Sequence, residues 1–150
     1  YKGVTMKIST KARYSLRGML DLAQHREEGY IPLKTIAERQ GISKRYLDQI
    51  RMLLNRTDYL KTARGAQGGY KLAKTPDRYS LGDMLRLTEG GFAPLACIEN
   101  GGEDCDRYDS CIARGAWQGL EKVMAEYLDN LTLQDILDQY GGNAASDFAI

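Results

Sequence analysis

Apolar residues recur at helical spacing over the first third of the chain and predict two helices. The first begins at Ser9 or Thr10, residue types that cap helix starts, and Gly29 ends it. Its apolar side comprises Tyr14, Leu16, Met19, Leu20, Leu22 and Ala23. The second helix covers residues 33–40, and its apolar face comprises Leu33, Ile36 and Ala37.

A third helix is predicted after a tight turn. Gly41 supplies the backbone freedom that such a turn requires, and Ser43 is a suitable N-cap for a helix that runs to about Arg56. Its inward positions are Leu47, Ile50, Leu53 and Leu54. Its outer side carries Lys44, Arg45, Asp48, Gln49 and Arg51. Two short helices joined by a glycine-containing turn, the second basic on its outer side, are typical of a helix-turn-helix.

A β-hairpin is predicted next. Residues 59–63 and 70–73 favour strands, and a basic, glycine-rich tip from Arg64 to Gly69 separates them. A hairpin directly after a helix-turn-helix is a wing, and an arginine among small residues suits close approach to a DNA groove. Glycine-rich loops also bind nucleotide phosphates, but this tip lacks the GxxxxGK[ST] pattern of such loops.

The second half of the chain predicts helices on either side of a long loop. Ser80 and Asp83 form a capping-box variant for a helix over residues 81–88, which Gly90 and Gly91 end. From Phe92 to Ser110 we expect a structureless loop, a feature that is often functional when it reaches this length.

A longer helix is predicted from about Ile112 to Leu131. Its apolar stripe is broad enough to require a partner subunit, although packing within one subunit is the alternative. The stripe comprises Ile112, Trp117, Leu120, Val123, Met124, Tyr127, Leu128 and Leu131. Thr132 and Asp135 cap a last short helix over residues 133–140, which Gly141 and Gly142 end, and a frayed tail follows.

The charge is divided unevenly along the chain. Residues 1–90 contain 18 of the 21 Lys and Arg and 9 of the 20 Asp and Glu, whereas residues 91–150 contain 3 and 11. A basic first half suggests a polyanionic partner, and the alternative is two differently charged solvated faces. The acidic second half argues against coating of nucleic acid by the whole chain.

The composition is that of one compact domain, or a small domain with an added arm. The chain has 150 residues, of which 43% are hydrophobic and 27% are charged. Its apolar runs are too short to span a bilayer, and its start lacks the features of a signal peptide, so we expect a cytoplasmic protein. Met6 resembles a natural start, which makes residues 1–5 an upstream extension.

Three cysteines fall in or just after the predicted loop. Cys97, Cys105 and Cys111 have the spacing C-x7-C-x5-C. An odd number of cysteines without a secretory signal argues against a disulfide framework. Thiolates on a flexible loop can hold an iron–sulfur cluster or zinc, but the spacing lacks a CxxC pair and fits free thiols equally well.

Four segments in this order resemble the Rrf2 family of regulators, most closely its IscR-like members. They are MKISTKARYSLRGMLDLA, IAERQGISKRYLDQI, RGAQGGYKLAK and the three-cysteine loop before a Trp-bearing helix. The resemblance covers residues 6 to about 140. It implies a mainly α fold, a winged helix-turn-helix with a small two-stranded wing over residues 6–91, a cysteine-bearing cluster loop over 92–111 and dimerisation helices over 112–140. Residues 141–150 are then a flexible tail.

The resemblance also implies a homodimeric, DNA-binding regulator, such as a repressor, on a palindromic double-stranded operator. The third helix would enter the major groove, with Arg45, Asp48 and Gln49 at base edges, and Arg64 at the wing tip would enter a minor groove. Arginine can pair with guanine, glutamine with adenine, and an acid can accept from cytosine. The remaining polar residues would hold phosphates: Ser43, Lys44, Tyr46, Arg51 and Arg56.

By the same resemblance, the three cysteines match ligands of an iron–sulfur cluster, 2Fe–2S or 4Fe–4S. The fourth ligand departs from the family pattern, because Arg114 stands where IscR-like members have histidine and Arg13 where NsrR-like members use an acid. For His25, the single histidine, we expect an ordinary surface or packing role rather than a ligand role. Acids close to the cysteines in sequence are candidates for the fourth ligand: Glu99, Glu103, Asp104, Asp106 and Asp109.

Three functions follow from these observations. The first is a transcription regulator whose DNA affinity responds to an iron–sulfur cluster, and the second is a clusterless regulator switched by thiol oxidation or a partner protein. The third, an enzyme centred on the cysteines, is disfavoured, because no base, nucleophile pair or cofactor motif accompanies the thiols.

Overall fold

The computed structural model describes the backbone of residues 7–147 and the side chains of residues 7–141. The upstream extension predicted at residues 1–5 and the end of the predicted tail at 148–150 lie outside this range. Within it, no helix is long and apolar enough to cross a membrane.

The fold is mainly α-helical with one two-stranded antiparallel sheet, as the sequence predicted. In chain order the elements are α1 (Thr10–Gln24), α2 (Leu33–Gln40), α3 (Lys44–Leu54), β1 (Leu60–Ala63), β2 (Gly69–Leu72), α4 (Leu81–Glu89), α5 (Ala96–Glu99), α6 (Arg114–Asn130) and α7 (Leu133–Asp147). Short 3-10 turns cover Arg26–Glu28, Pro76–Arg78 and Tyr108–Ser110.

The helix starts are set by the capping residues that the sequence predicted. The Ser9 hydroxyl accepts a hydrogen bond from Ala12 N at 3.1 Å, and Ser80 accepts from Asp83 N at 3.0 Å. Thr132 and Asp135 form a complete capping box, because each side chain accepts from the other residue's backbone N–H, at 3.1 and 2.9 Å.

The first helix ends earlier than predicted, whereas the turn of the helix-turn-helix is as expected. A 3-10 turn lies between Gln24 and Gly29, and Gly29 has a φ of 75°. Gly41 closes α2 in the left-handed conformation, with a φ of 62°, which glycine adopts without steric cost. This sharp turn sets the direction in which α3 leaves.

The core lies where α1 meets α2, α3, the hairpin, α4 and α7. Met19 and Leu133 are 0% exposed, Ile31 is 1% exposed and Met84 is 2% exposed. Leu47, Ile50 and Leu54 bury the inner face of α3, while Leu53, predicted to face inward, is half-buried. Helix α3 is therefore fixed against α1, and its opposite face is left to solvent.

The hairpin is tied to the core at its base. Leu60 lies opposite Leu72 across the two strands. Tyr70 exchanges two backbone hydrogen bonds with Ile31, at 2.8 and 2.9 Å. The buried Tyr79 hydroxyl accepts from Lys74 N and donates to Tyr59 O, and its burial raises the pKa of Tyr79. These contacts hold the hairpin beside α3.

Two predictions about the second half were wrong. The segment after α4 is not structureless, because it contains α5 and the 3-10 turn Tyr108–Ser110. Gly141 and Gly142 do not end the last helix, which continues to Asp147. A glycine inside a helix costs only about 1 kcal/mol relative to alanine, and no proline follows to enforce a stop.

Candidate nucleic-acid interface and cysteine segment

The outward face of α3 presents exposed basic and polar side chains. Ser43 caps the helix by accepting from Tyr46 N at 3.2 Å, and this contact fixes where the helix begins. Four of its side chains are exposed, namely Lys44, Arg45, Gln49 and Met52. Leu47 and Ile50, each 3% exposed, hold the other face in the core.

Tyr46 is held more firmly than its predicted role suggests. It is half-buried, and its ring packs edge-on against Tyr14 with 5.4 Å between centroids. The Arg17 guanidinium lies 5.3 Å from the centre of the Tyr14 ring on α1. Tyr46 therefore connects the first turn of α3 to α1.

Asp48 and Arg51 face each other, and Arg51 also faces the hairpin. Arg51 Nε lies 3.3 Å from Asp48 Oδ1, and the Arg51 guanidinium carbon lies 5.8 Å from the centre of the Tyr70 ring on β2. Their side chains are 29% exposed for Arg51 and 46% for Asp48. Arg51 also lines a small apolar cavity of about 30 Å³ between α1, α2, α3 and the hairpin. Arg51 thus bridges the helix and the wing.

The wing tip places one free positive charge at its end. Arg64 follows β1 directly and is exposed. Across residues 7–141, no carboxylate lies within ion-pair distance of Arg64, Lys44 or Arg45. These three charges are therefore available to a polyanion.

A buried carboxylate holds α2 against α1, and the sequence reasoning missed it. Asp21 is 1% exposed and accepts from Arg39 Nη1 at 3.2 Å and from Gln40 Nε2 at 2.9 Å. Arg39 also donates to Glu28 at 2.7 Å, the main contact that raises the pKa of Arg39. The sequence did contain a sign of this buried carboxylate, namely an acidic residue inside the apolar stretch of α1, between Leu20 and Leu22.

His25 belongs to this network rather than to the cysteines. Its Nδ1 lies 2.9 Å from the backbone oxygen of Asp21 and 3.6 Å from Asp21 Oδ1. This placement agrees with the packing role that the sequence favoured.

The cysteine segment, residues 92–113, is ordered by short-range contacts. Gly102 N donates to Asn100 Oδ1 at 3.1 Å. Gly102, with a φ of 88°, lies so close to the Tyr108 ring that a Cβ there would be 2.1 Å from it. Arg114 covers the same ring at 4.6 Å and donates to Tyr108 O at 2.7 Å. A stack of Gly102, Tyr108 and Arg114 therefore joins the segment to the start of α6.

The three predicted ligands are accessible, but the fold does not bring them into one group. Cys97 and Cys105 are half-buried and Cys111 is exposed. Among the side chains of residues 7–141, no three His, Cys, Asp or Glu lie close enough together to hold a metal ion. The acids named as fourth-ligand candidates are all exposed. Arg114, at the position where the resemblance to IscR-like members implies a histidine, has no lone pair with which to bind a metal.

The three thiols are nevertheless the type of ligand that an iron–sulfur cluster requires. Such clusters are held mainly by cysteine thiolates, and three thiols lie within one segment between α4 and α6. Holding a cluster would require this segment to rearrange so that the three sulfurs converge.

A helix-turn-helix followed by a hairpin, with free basic side chains on its second helix and its wing tip, defines a winged-helix DNA-binding protein. Comparison with known proteins agrees. Residues 8–139 match the model of the Rrf2 family, described as an iron-dependent transcriptional regulator. The chain belongs to the Rrf2 family of transcription regulators.

Individual relatives agree with this assignment. The HTH-type transcriptional regulator IscR of Pectobacterium carotovorum is 33% identical over 133 residues, which are 89% of this chain and 80% of that protein. The solved structure of T. potens IscR has a TM-score of 0.72 at 38% identity, covering 89% of this chain and 88% of the other.

A second solved structure is that of CymR, the global cysteine regulator of B. subtilis. It has a TM-score of 0.75 at 36% identity and covers 90% of this chain and 98% of the other. The relatives are regulators rather than enzymes, as the sequence predicted.

Proposed function

We propose that the protein is a homodimeric transcription regulator that reads a palindromic double-stranded DNA operator. Helix α3 would enter the major groove, and the wing would lie at the adjacent minor groove. The observation that carries this proposal is the free charge of Lys44, Arg45 and Arg64 on a helix and a hairpin that Arg51 and Tyr70 join. We place this activity in the cytoplasm.

The roles of the side chains follow from their placement. Arg45 and Gln49 project from the outward face and would read base edges, with Asp48 beside them. Ser43, Lys44 and Tyr46, at the start of α3, would hold the phosphate backbone. Arg64 would enter the minor groove. Arg51 is engaged by Asp48 and Tyr70, so its first role in this proposal is to set the angle between α3 and the wing.

The dimer proposal rests on α6. None of its residues is buried, although it carries the predicted apolar stripe. Trp117 is 41% exposed, Val123 is 63% exposed and Tyr127 is 64% exposed. A continuous apolar face of this kind is unfavourable in water and is typical of an interface. We propose that α6 of a second copy covers it, and sedimentation of the full chain is the check.

We further propose that an iron–sulfur cluster held by Cys97, Cys105 and Cys111 controls operator affinity. A bound cluster would supply a redox-sensitive crosslink between the three thiolates. The cysteine segment joins α4, which packs on α1, to the proposed dimer helix. Convergence of the three side chains would rearrange the segment that the contact of Arg114 with Tyr108 joins to α6. The segment would then change the position of α6, and with it the spacing of two recognition helices.

A clusterless regulator is the second candidate, and a specific observation favours it. The segment already folds with its thiols apart, and Arg114 occupies the position of the histidine found in IscR-like members. The similarity to CymR supports the same candidate. In this form, oxidation of the half-buried Cys105 or docking of a partner protein would disturb the segment.

The test is anaerobic purification of the full chain, with visible absorption, iron and sulfide measured per subunit. Operator affinity would be measured for the wild type, Cys105→Ala and the control Ser110→Ala, an exposed residue of the same segment. Stoichiometric iron and sulfide, lost in Cys105→Ala together with a changed affinity, would support cluster control. Unchanged affinity in a colourless Cys105→Ala would contradict it.

A further inference from the structure

One exposed side chain of α3 has no place in the roles assigned so far. Of the eleven residues of α3, all of which the structure describes, four are exposed, and Met52 is the apolar one among them. Met52 is 56% exposed. Single exposed apolar side chains are common on protein surfaces, but Met52 lies on the helix that is proposed to read DNA.

The helical register places Met52 on the proposed reading face. It follows Gln49 by three residues and Arg45 by seven, and these spacings return to the same side of a helix. The buried residues Leu47, Ile50 and Leu54 lie on the opposite side. A surface that follows this face of α3 beyond Arg45 and Gln49 therefore meets Met52.

A DNA major groove offers one apolar group to such a side chain. Each thymine presents its C5 methyl group there, and the other groups that distinguish the bases are hydrogen-bond donors and acceptors. Methionine is unbranched and polarizable, so it adapts its shape to a small apolar target. The thioether cannot replace the charged or amide contacts that guanine and adenine favour.

We propose that Met52 is a specificity-determining residue that packs on the C5 methyl of one thymine in each operator half-site. This inference rests on the proposed DNA-binding function and deepens it. Because Met52 lies about 10 Å along the helix axis from Arg45, the two side chains read different base pairs. The half-site then contains a thymine that no polar residue of α3 specifies.

The test removes the methyl group alone. An operator is first selected from random duplex DNA by the full chain, and each of its thymines is then replaced singly by deoxyuridine. Wild-type affinity should fall about fourfold at one thymine in each half-site, the effect of losing one buried methyl-sized group. For Met52→Ala the same replacement should have no effect, and every other thymine should respond as in the wild type.

Met52→Leu is the matched control, because it keeps an apolar side chain of similar size. It should retain the sensitivity to uracil, while Met52→Gln, of similar length but polar, should lose it. Identical uracil profiles for the wild type and Met52→Ala would overturn the inference and leave the DNA-binding proposal intact. Failure to select any operator would instead contradict the proposed function itself.

Discussion

The winged-helix half and the half that begins with the cysteine segment differ in how completely they bury their apolar residues. Helix α1 buries four apolar residues, Ala12, Met19, Leu22 and Ala23, whereas the longer α6 buries none. The first half is held by a core, a buried carboxylate network and a tied hairpin. In the second, α6 is held by local turns, one arginine stack and its contacts with α4, and α7 is fixed through Leu133, which is buried in the core of the first half.

Because of this difference, the two halves are suited to different tasks. A rigid first half can present Arg45, Gln49 and Arg64 in fixed positions, as reading a base sequence requires. The second half exposes the apolar stripe of α6 and the thiol of Cys111 and leaves the other two cysteines half-buried, so these groups are accessible to a partner or a ligand. The basic charge is divided between the halves in the same way, since the first 90 residues contain 18 of the 21 basic side chains.

The largest effect expected from this comparison is on folding. Met19→Ala removes a fully buried side chain from the core and should lower the free energy of unfolding by about 2–5 kcal/mol. Met52→Ala is the matched control, because it makes the same change at an exposed site and should shift stability by about 0.5 kcal/mol or less. Urea denaturation at one protein concentration measures both. Equal losses for the two variants would contradict the assigned core.

The next effect is on DNA affinity. Arg45→Ala should weaken binding to the selected operator by about 1–3 kcal/mol, because a charged contact to a base edge is lost. Lys122→Ala is the control, because it removes one positive charge from α6, which lies outside the proposed DNA interface. Fluorescence anisotropy at constant salt gives both values. The assignment of α3 fails if Lys122→Ala weakens binding as much as Arg45→Ala does.

A smaller effect separates phosphate contact from positioning. Lys44→Ala should make the negative slope of log affinity against log salt shallower by about 1, because one phosphate contact is lost. Arg51→Gln should lower affinity with the slope unchanged, since Arg51 contacts Asp48 and Tyr70. Titrations at a series of salt concentrations give both slopes. A reduced slope for Arg51→Gln would assign it to a phosphate instead.

The smallest effect concerns the ion pair that joins the two halves. Hydrogen bonds from Arg86 on α4, at 2.7 and 2.9 Å, lower the pKa of Asp129 on α6. A lowered pKa in the folded state stabilises the fold above the ordinary aspartate value of about 3.9, and this is lost as the pH falls through the folded-state pKa.

Both side chains of this pair are more than 40% exposed, so solvent screening keeps the contribution below about 1 kcal/mol. Asp129→Asn should therefore lower stability slightly at pH 7 and flatten the loss of stability between pH 5 and pH 3. Asp138→Asn, at an exposed position on α7, is the control. Thermal melts over this pH range measure the difference, and identical pH profiles for Asp129→Asn and the wild type would contradict the assignment.

Sequence predicted the parts of the fold that local signals determine. Ser43, Ser80 and the Thr132–Asp135 box each mark a helix start, and Gly41 marks the turn before α3. The hairpin was predicted from its strand propensity and its glycine-rich tip. These signals lie within a few residues of what they control, so one sequence is sufficient to read them.

Contacts between residues distant in the chain could not be predicted in this way. Asp21 binds Arg39, which lies eighteen residues further along the chain, and no local sequence pattern predicts that pair. Tyr108 and Arg114 are only six residues apart, yet no motif marks the contact by which they order a segment that composition alone describes as a loop. The continuation of α7 through Gly141 also opposes local propensity. Because the residues proposed to read DNA project from local elements, they could be named as candidates before the fold was known.

The most direct test of the account is selection of random duplex DNA by the full chain, for the wild type and Arg45→Ala in parallel. The account predicts that the wild type enriches a palindrome whose half-sites are centred about 34–36 Å apart or at a multiple of that distance. Arg45→Ala should lose the preference at one base pair in each half-site. Binding that depends on salt alone, with no sequence enriched by the wild type, would contradict it.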